Sequence, residues 1–323
     1  MPIAAIGSRW VVAVALACAG APLAWGDGLH DLELGRPGTS IPGSAPVAAP
    51  RTTMRFLTSE QFDAPAQVED DRGVISRMRT WSSFELDWRV SPTWSLRLDA
   101  ELELDGYDIR HSERILAGTG TLLDAGIRTH LEPGVDWRVG RDWKVGADVA
   151  FETTGVPGAS LSDSFTVGTS AYVWHRFSPS IALRFGVSVF AYLDDDPLII
   201  PFIAPDDVDA SSPTRWRFEG RGTGGRLGYA FTPKLTAGIA GAYDRRDWRL
   251  ASDDRAPGGI ARDVRVSFGA FVEVTPWKRF TLGLEGGVTV LHEFEVADRD
   301  GNALVKVDLE PSGYLGFSLS WRF

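Results

Sequence analysis

From Trp94 to Asp105 the chain alternates without a break. Trp94, Leu96, Leu98, Ala100, Leu102 and Leu104 fall on one side, and Ser95, Arg97, Asp99, Glu101, Glu103 and Asp105 on the other. Side chains on a strand point to opposite faces in turn, whereas helical spacing would mix the two sets, so the stretch reads as a strand with one apolar and one charged face. The same period runs through 79–90, 127–139, 143–152, 181–189, 235–250, 264–275 and 279–296, and less cleanly through 164–177 and 215–231. It returns at the end of the sequence, where Leu315, Phe317, Leu319, Trp321 and Phe323 alternate with Gly316, Ser318, Ser320 and Arg322. The expected fold class is all-β.

The connections carry a second rhythm. About three residues join strands at 91–93, 140–142, 178–180, 232–234 and 276–278, while longer segments lie at 106–120, 154–163, 194–214, 251–263 and 297–313. Transmembrane barrels place short turns on the periplasmic side and long loops outside, and a soluble sandwich has no reason to sort them so. Aromatics gather beside the short turns: Trp88, Trp94, Trp137, Trp143, Phe177, Phe231, Trp277 and Phe280, with Trp321 and Phe323 at the same end. That is half of an aromatic girdle at headgroup level. A strand count with both termini on the short-turn side must be even, which brings in 53–62 as a first strand despite its poor pattern. The expectation is an antiparallel transmembrane barrel of about twelve strands, within a range of ten to fourteen.

Composition fits an exported membrane barrel. Residues 1–26 carry one charge, Arg9, then an apolar run too short to span a bilayer, and end in Ala24-Trp25-Gly26, the pattern of a signal peptide cut near Gly26. The cut removes Cys18, the only cysteine, and with it any disulfide or thiol chemistry; a lipid anchor on Cys18 is the alternative. Residues 27–50, rich in Gly, Pro, Ser and Ala, read as a flexible periplasmic segment, and 51–323 as the barrel. A net charge of −10 argues against a nucleic-acid partner. With no other run long enough for a spanning helix, a membrane protein of this composition has to be a closed barrel.

The ending Tyr314-Leu-Gly-Phe-Ser-Leu-Ser-Trp-Arg-Phe323 resembles the C-terminal strand of bacterial outer-membrane barrels. Together with Phe294-Glu-Val-Ala-Asp-Arg-Asp-Gly-Asn-Ala-Leu304 and the turns Ser91-Pro-Thr-Trp94 and Thr275-Pro-Trp277, it is similar to an uncharacterised family of such proteins, over roughly residues 50–323. The resemblance implies an outer-membrane location, contact with its lipids, and an assembly signal at Tyr314, Phe317, Leu319, Trp321 and Phe323 read by the barrel-assembly machinery. The family has no assigned activity, so no catalytic residue carries over.

The polar face then lines a lumen: Arg79, Glu85, Asp87, Arg89, Arg97, Asp99, Glu101, Glu103, Arg128, Asp136, Arg138, Asp148 and Glu152. Such a set either selects small solutes in an aqueous pore or fills a narrow interior as ion pairs. A passive channel for small solutes is the first reading, and a structural or lipid-contacting barrel with an occluded lumen the second. A third, an outer-membrane lipid hydrolase, has only His111-Ser112-Glu113 behind it, and three adjacent residues do not assemble a Ser–His site. No catalytic set, cofactor motif or metal-ligand spacing stands out. Gly220-Arg-Gly-Thr-Gly-Gly225 lies within a strand pattern rather than on a strand–helix junction, and the acidic loop 194–214 does not match a calcium loop. Within that loop, Pro197-Leu-Ile-Ile-Pro-Phe-Ile-Ala-Pro205 is too apolar for free solvent and is expected to fold inward as a constriction or to lie on the membrane surface.

Overall fold

The computed structural model describes residues 52–69, 73–118, 122–178, 181–191, 193, 197–206, 215–221 and 224–323. The signal segment and the tail up to residue 51, and the acidic positions 70–71, 194–196 and 207, lie outside the described residues.

The strands are β1 (Thr52–Gln67), β2 (Val74–Arg89), β3 (Trp94–Arg110), β4 (Ala125–Arg138), β5 (Trp143–Gly155), β6 (Phe165–Ser178), β7 (Ile181–Phe190), β8 (Leu198–Asp206), β9 (Trp216–Arg221), β10 (Gly224–Thr232), β11 (Leu235–Arg249), β12 (Ile260–Trp277), β13 (Phe280–Ala297), β14 (Ala303–Asp308) and β15 (Ser312–Arg322). One short helix, α1 (Ser112–Ile115), sits in the loop after β3. All belong to one 15-stranded sheet in the order β8-β7-β6-β5-β4-β3-β2-β1-β15-β13-β12-β11-β10-β9, with β14 on the upper part of β13. First and last strands pair antiparallel, from Arg55↔Arg322 to Asp63↔Tyr314.

Fourteen strands lie along the path, at the upper end of the expected ten to fourteen, because β8 falls inside the expected loop 194–214 and the stretch 215–231 holds both β9 and β10. Pro201 and Pro205 disguised β8, since proline lacks the ladder N–H. They are tolerated there because β8 ends the path and pairs, among the described residues, with β7 alone. Segment 197–205 is therefore mostly a strand paired with β7, and not the inward constriction or membrane-surface segment expected. Gly220 lies in β9 and Gly224 and Gly225 in β10, on two paired strands instead of one.

The short turns form as their sequences imply. At 91–93 the Ser91 hydroxyl accepts from the N–H groups of Thr93 (3.2 Å) and Trp94 (3.0 Å), while Val90 N–H bonds Trp94 O at 3.0 Å. The aromatics beside these turns, exposed except for half-buried Phe280, touch one another: Trp94 stacks on Trp137 (5.8 Å), Phe280 meets Trp321 (6.0 Å) and Trp321 stacks on Phe323 (5.6 Å).

Toward the long-loop end the strand pattern inverts. On β13, Leu284 and Val288 are exposed beneath a bulge where Val290 is the extra residue; above it Phe294 and Val296 are fully buried while Glu293 and Glu295 lie on the other face. Tyr107 on β3, Ile75 on β2 and Trp248 on β11 are buried likewise, and with Leu123 and Leu250 they form one apolar core. The sheet curls tightly enough here for β5 and β11 to meet: Gly155 and Arg249 pair in parallel, with Val156 N–H on Arg249 O at 2.9 Å. The hydrogen-bonded ladder β5-β4-β3-β2-β1-β15-β13-β12-β11 thus returns on itself, with β6 to β8 extending from β5 and β10 and β9 from β11.

Candidate functional site

Beneath the apolar core lies a layer of paired charges that spans the ring. The two inner-face residues nearest the core on β3, Glu103 and Asp105, are almost fully buried. Glu103 takes both nitrogens of a fork from Arg246 on β11, at 2.7 and 3.0 Å, and lies 3.2 Å from Arg79 Nε. Arg79 donates to Asp105 at 3.1 Å and to Asp244 at 2.7 Å. Arg77 donates to Asp63 at 2.8 Å, and its Nη1 is 3.6 Å from each of Asp105, Asp244 and Asp263. Arg265 forks onto Asp263 at 2.8 Å through two nitrogens and reaches Asp63 with the third. Tyr107 donates to Asp263 at 2.9 Å, and the Trp248 indole N–H donates to Tyr107 at 3.1 Å, tying this layer to the core above. Forked, charge-assisted bonds offset the cost of burying so many ions, and each member neutralises two or more others.

The expected polar-face residues fall into three groups. Arg79, Glu103 and, on its edge, Glu101, Arg128 and Glu152 belong to this layer: Arg128 donates to Glu152 at 2.7 Å and Glu101 at 3.1 Å, and His130 lies between Glu152 (3.3 Å) and Glu132 (3.2 Å). Nearer the short turns, Arg97 sits 3.6 Å from Asp136 and 3.4 Å from Asp148, and the Tyr172 hydroxyl donates to Asp136. Glu85 is 3.6 Å from Arg55, and Asp99 is half-buried beside Glu85 and Glu132 in the register. Asp87, Arg89 and Arg138 lie close to the short turns, Asp87 and Arg138 being exposed. Residues 79, 101, 103, 128 and 152 are thereby brought into one run of contacts and 97, 136 and 148 into a second, while 87, 89 and 138 join neither.

Reading the sequence missed half of the layer. Asp63, Arg77, Asp244, Arg246, Asp263, Arg265 and His292 were not singled out. In Tyr243-Asp-Arg-Arg-Asp-Trp-Arg249 both faces carry charge: Asp244 and Arg246 point into the layer, while Arg245 and Arg262 pair with Asp247 on the other side. Alternation alone could not say which set was buried. The usable signal was Trp248, in phase with Asp244 and Arg246 and entirely buried. Below the layer, Arg226 bonds Glu273 at 2.9 Å and also Glu285, to which Tyr314 donates at 3.0 Å. Arg226, Glu285 and Tyr314 border a cavity of about 200 Å³ reached by Leu57, Ser59, Gln61 and Ser267.

On the outer face of β1 a carboxylate interrupts the apolar band. Glu60 stands opposite Phe317 and Thr80, in phase with Phe56 and Phe62, and beside it Ser82 bonds Thr58 at 3.1 Å. His111 and Glu113 of the weak hydrolase reading are exposed, 3.7 Å apart. Among the described residues no group of three or more His, Cys, Asp or Glu is arranged to hold a metal ion.

No family model and no curated protein matches the chain. Among solved structures it is similar to an outer-membrane channel from Pseudomonas putida F1, at 12% identity over 88% of this chain and 100% of that one, with a TM-score of 0.45. It is similar also to the P. putida toluene transporter TodX (9% identity, 84% and 89% covered, TM-score 0.36). The translocator domain of the autotransporter NalP from Neisseria meningitidis is a third such structure (9%, 95% and 98%, TM-score 0.32).

Proposed function

We propose that the chain is an outer-membrane β-barrel, inserted with its short turns toward the periplasm, whose lumen is occluded at the long-loop end. The observation that carries this is the charge layer linking β2 and β3 to β11 and β12, strands far apart along the ladder, directly under a dry apolar core. A pore for solutes needs water between such walls, and here guanidinium forks and a packed indole fill the space. The exposed aromatics at the short turns and the inversion of pattern above the β13 bulge support a hydrocarbon band between them. Of the two readings open at the outset, this favours the occluded barrel over the passive channel.

The channel reading retains one observation, the cavity beside Arg226, which lies below the layer. Two measurements test the proposal. Fractionation should recover the chain in the outer membrane with heat-modifiable gel mobility, and removal of Phe323 should impair assembly. Proteoliposomes carrying it should not swell in small sugars. Recovery in the soluble periplasm, or swelling at porin-like rates, would sink it.

A further inference from the structure

Glu60 faces outward where its neighbours are apolar or hydroxylic. It stands four residues along β1 from Phe56, which pairs with Trp321 of the short-turn aromatics. At strand rise and tilt that is about 10 Å into a hydrocarbon band about 25 Å tall. Phe62, Leu315 and Phe317 beside it, and Leu284 one strand further, are all exposed. Among the described residues its carboxyl has no hydrogen bond or ion pair. Thr80 is directly opposite on β2, and the neighbouring Ser82 donates to Thr58 at 3.1 Å, which leaves the Thr58 hydroxyl hydrogen to donate elsewhere.

A carboxylate has room for about four donors, and lipid tails offer none. Ionisable groups inside a membrane pair with something. Where the barrel itself supplies no partner, a neighbour in the membrane does. The composition of the patch indicates which neighbour. Glu60 is an acceptor, Thr58 and Thr80 are donors, and all three lie on two adjacent strands within a surround of exposed Phe and Leu. A face that holds both halves of a hydrogen bond is complementary to its own copy turned about a two-fold axis, the condition for an isologous contact. We infer that the outer face of β15, β1 and β2 is the interface of a homodimer in the membrane, each copy's Glu60 accepting from the other's Thr58 and Thr80. The inference rests on the membrane insertion proposed above and not on the occlusion of the lumen.

Sedimentation equilibrium of the full chain in a density-matched, uncharged detergent reads the mass directly, and a reversible dimer is expected. Glu60→Leu, which should stabilise a lone barrel, should weaken the dimer about tenfold or more, since two symmetric hydrogen-bonded contacts are lost. Thr80→Val should weaken it too. Glu60→Gln keeps an acceptor and adds donors of its own, so it should retain the dimer. Thr129→Val, in the outward hydroxyl pair Thr129–Thr153 (2.7 Å) on β4 and β5, should leave it unchanged. Heat-modifiable mobility verifies that each variant is folded. A folded, membrane-inserted chain that stays monomeric, or a dimer indifferent to Glu60→Leu, would overturn the interface alone. Failure to insert would sink the barrel reading and the interface together.

Discussion

Replacing Glu103 with Gln tests how firmly the charge layer is held. The side chain is 2% exposed and is approached by three guanidinium groups: Arg246 at 2.7 Å, Arg79 at 3.2 Å and Arg128 at 3.6 Å. Glutamine preserves the shape but removes the negative charge, so Arg246 keeps only Asp244, at 2.6 Å, as an acidic partner in this layer. Breaking a buried pair by removing one partner costs roughly 3–5 kcal/mol, because the cation left behind is uncompensated. Arg79 retains Asp105 and Asp244, and Arg128 retains Glu101 and Glu152, which places the expected loss near 3 kcal/mol rather than at the top of the range. Reversible urea unfolding in lipid vesicles would measure it. Adding Arg246→Met should recover part of the loss, since removing both members of a buried pair is far less costly than removing one. A loss under about 1 kcal/mol for Glu103→Gln, with no recovery in the double variant, would mean that water reaches the layer.

Four further outcomes follow from the same geometry. A Cβ on Gly126 would come within 2.6 Å of the Trp248 ring, so Gly126→Ala should destabilise the barrel by about 1–3 kcal/mol in the same unfolding assay. Glu60→Leu removes a carboxylate from the apolar outer band and should raise stability, by up to about 2 kcal/mol in that assay. Cysteines replacing Asp99 or Glu101 should react with a water-soluble thiol reagent while one replacing Glu103 should be protected, as should those replacing Leu98, Ala100 and Leu102 in membranes. At the tip between β13 and β14, the Asn302 side chain and the N–H groups of Asn302, Asp300 and Gly301 hold the Asp298 carboxyl below its usual range. The stabilisation of that turn is therefore present above the ordinary carboxylate pKa and lost only as pH falls through the lowered value, which amide exchange at 298–302 would follow.

Much of this architecture was legible because strands with one apolar and one polar face obey a period of two and the connections sort by length. The strands 94–105 and 314–323, the short turns at 91–93 and 276–278, and the aromatics beside them were read directly from residue order. The failures have physical causes. β8 carries two prolines, and Gly220, Gly224 and Gly225 leave β9 and β10 without side chains on part of their faces, so neither region displays the uninterrupted alternation that marks a strand with partners on both sides. Near the long loops the pattern inverts, with Tyr107, Trp248 and Phe294 inside and Asp108, Asp247 and Glu295 outside, so a rule that assigns apolar residues to lipid stops working there. The partners of Glu103 and Arg79 lie far along the chain, on β11, and only the curl of the sheet brings them together.

The central claim is that the lumen is shut by the charge layer and the core above it, and ion conductance across a planar bilayer tests that most directly. The folded chain should insert and give no steady open level, while Glu103→Gln combined with Arg79→Gln, which weakens the layer's closest links from β2 and β3 to β11, should produce frequent openings. A stable, ohmic conductance from the unaltered chain, unchanged in the double variant, would contradict it.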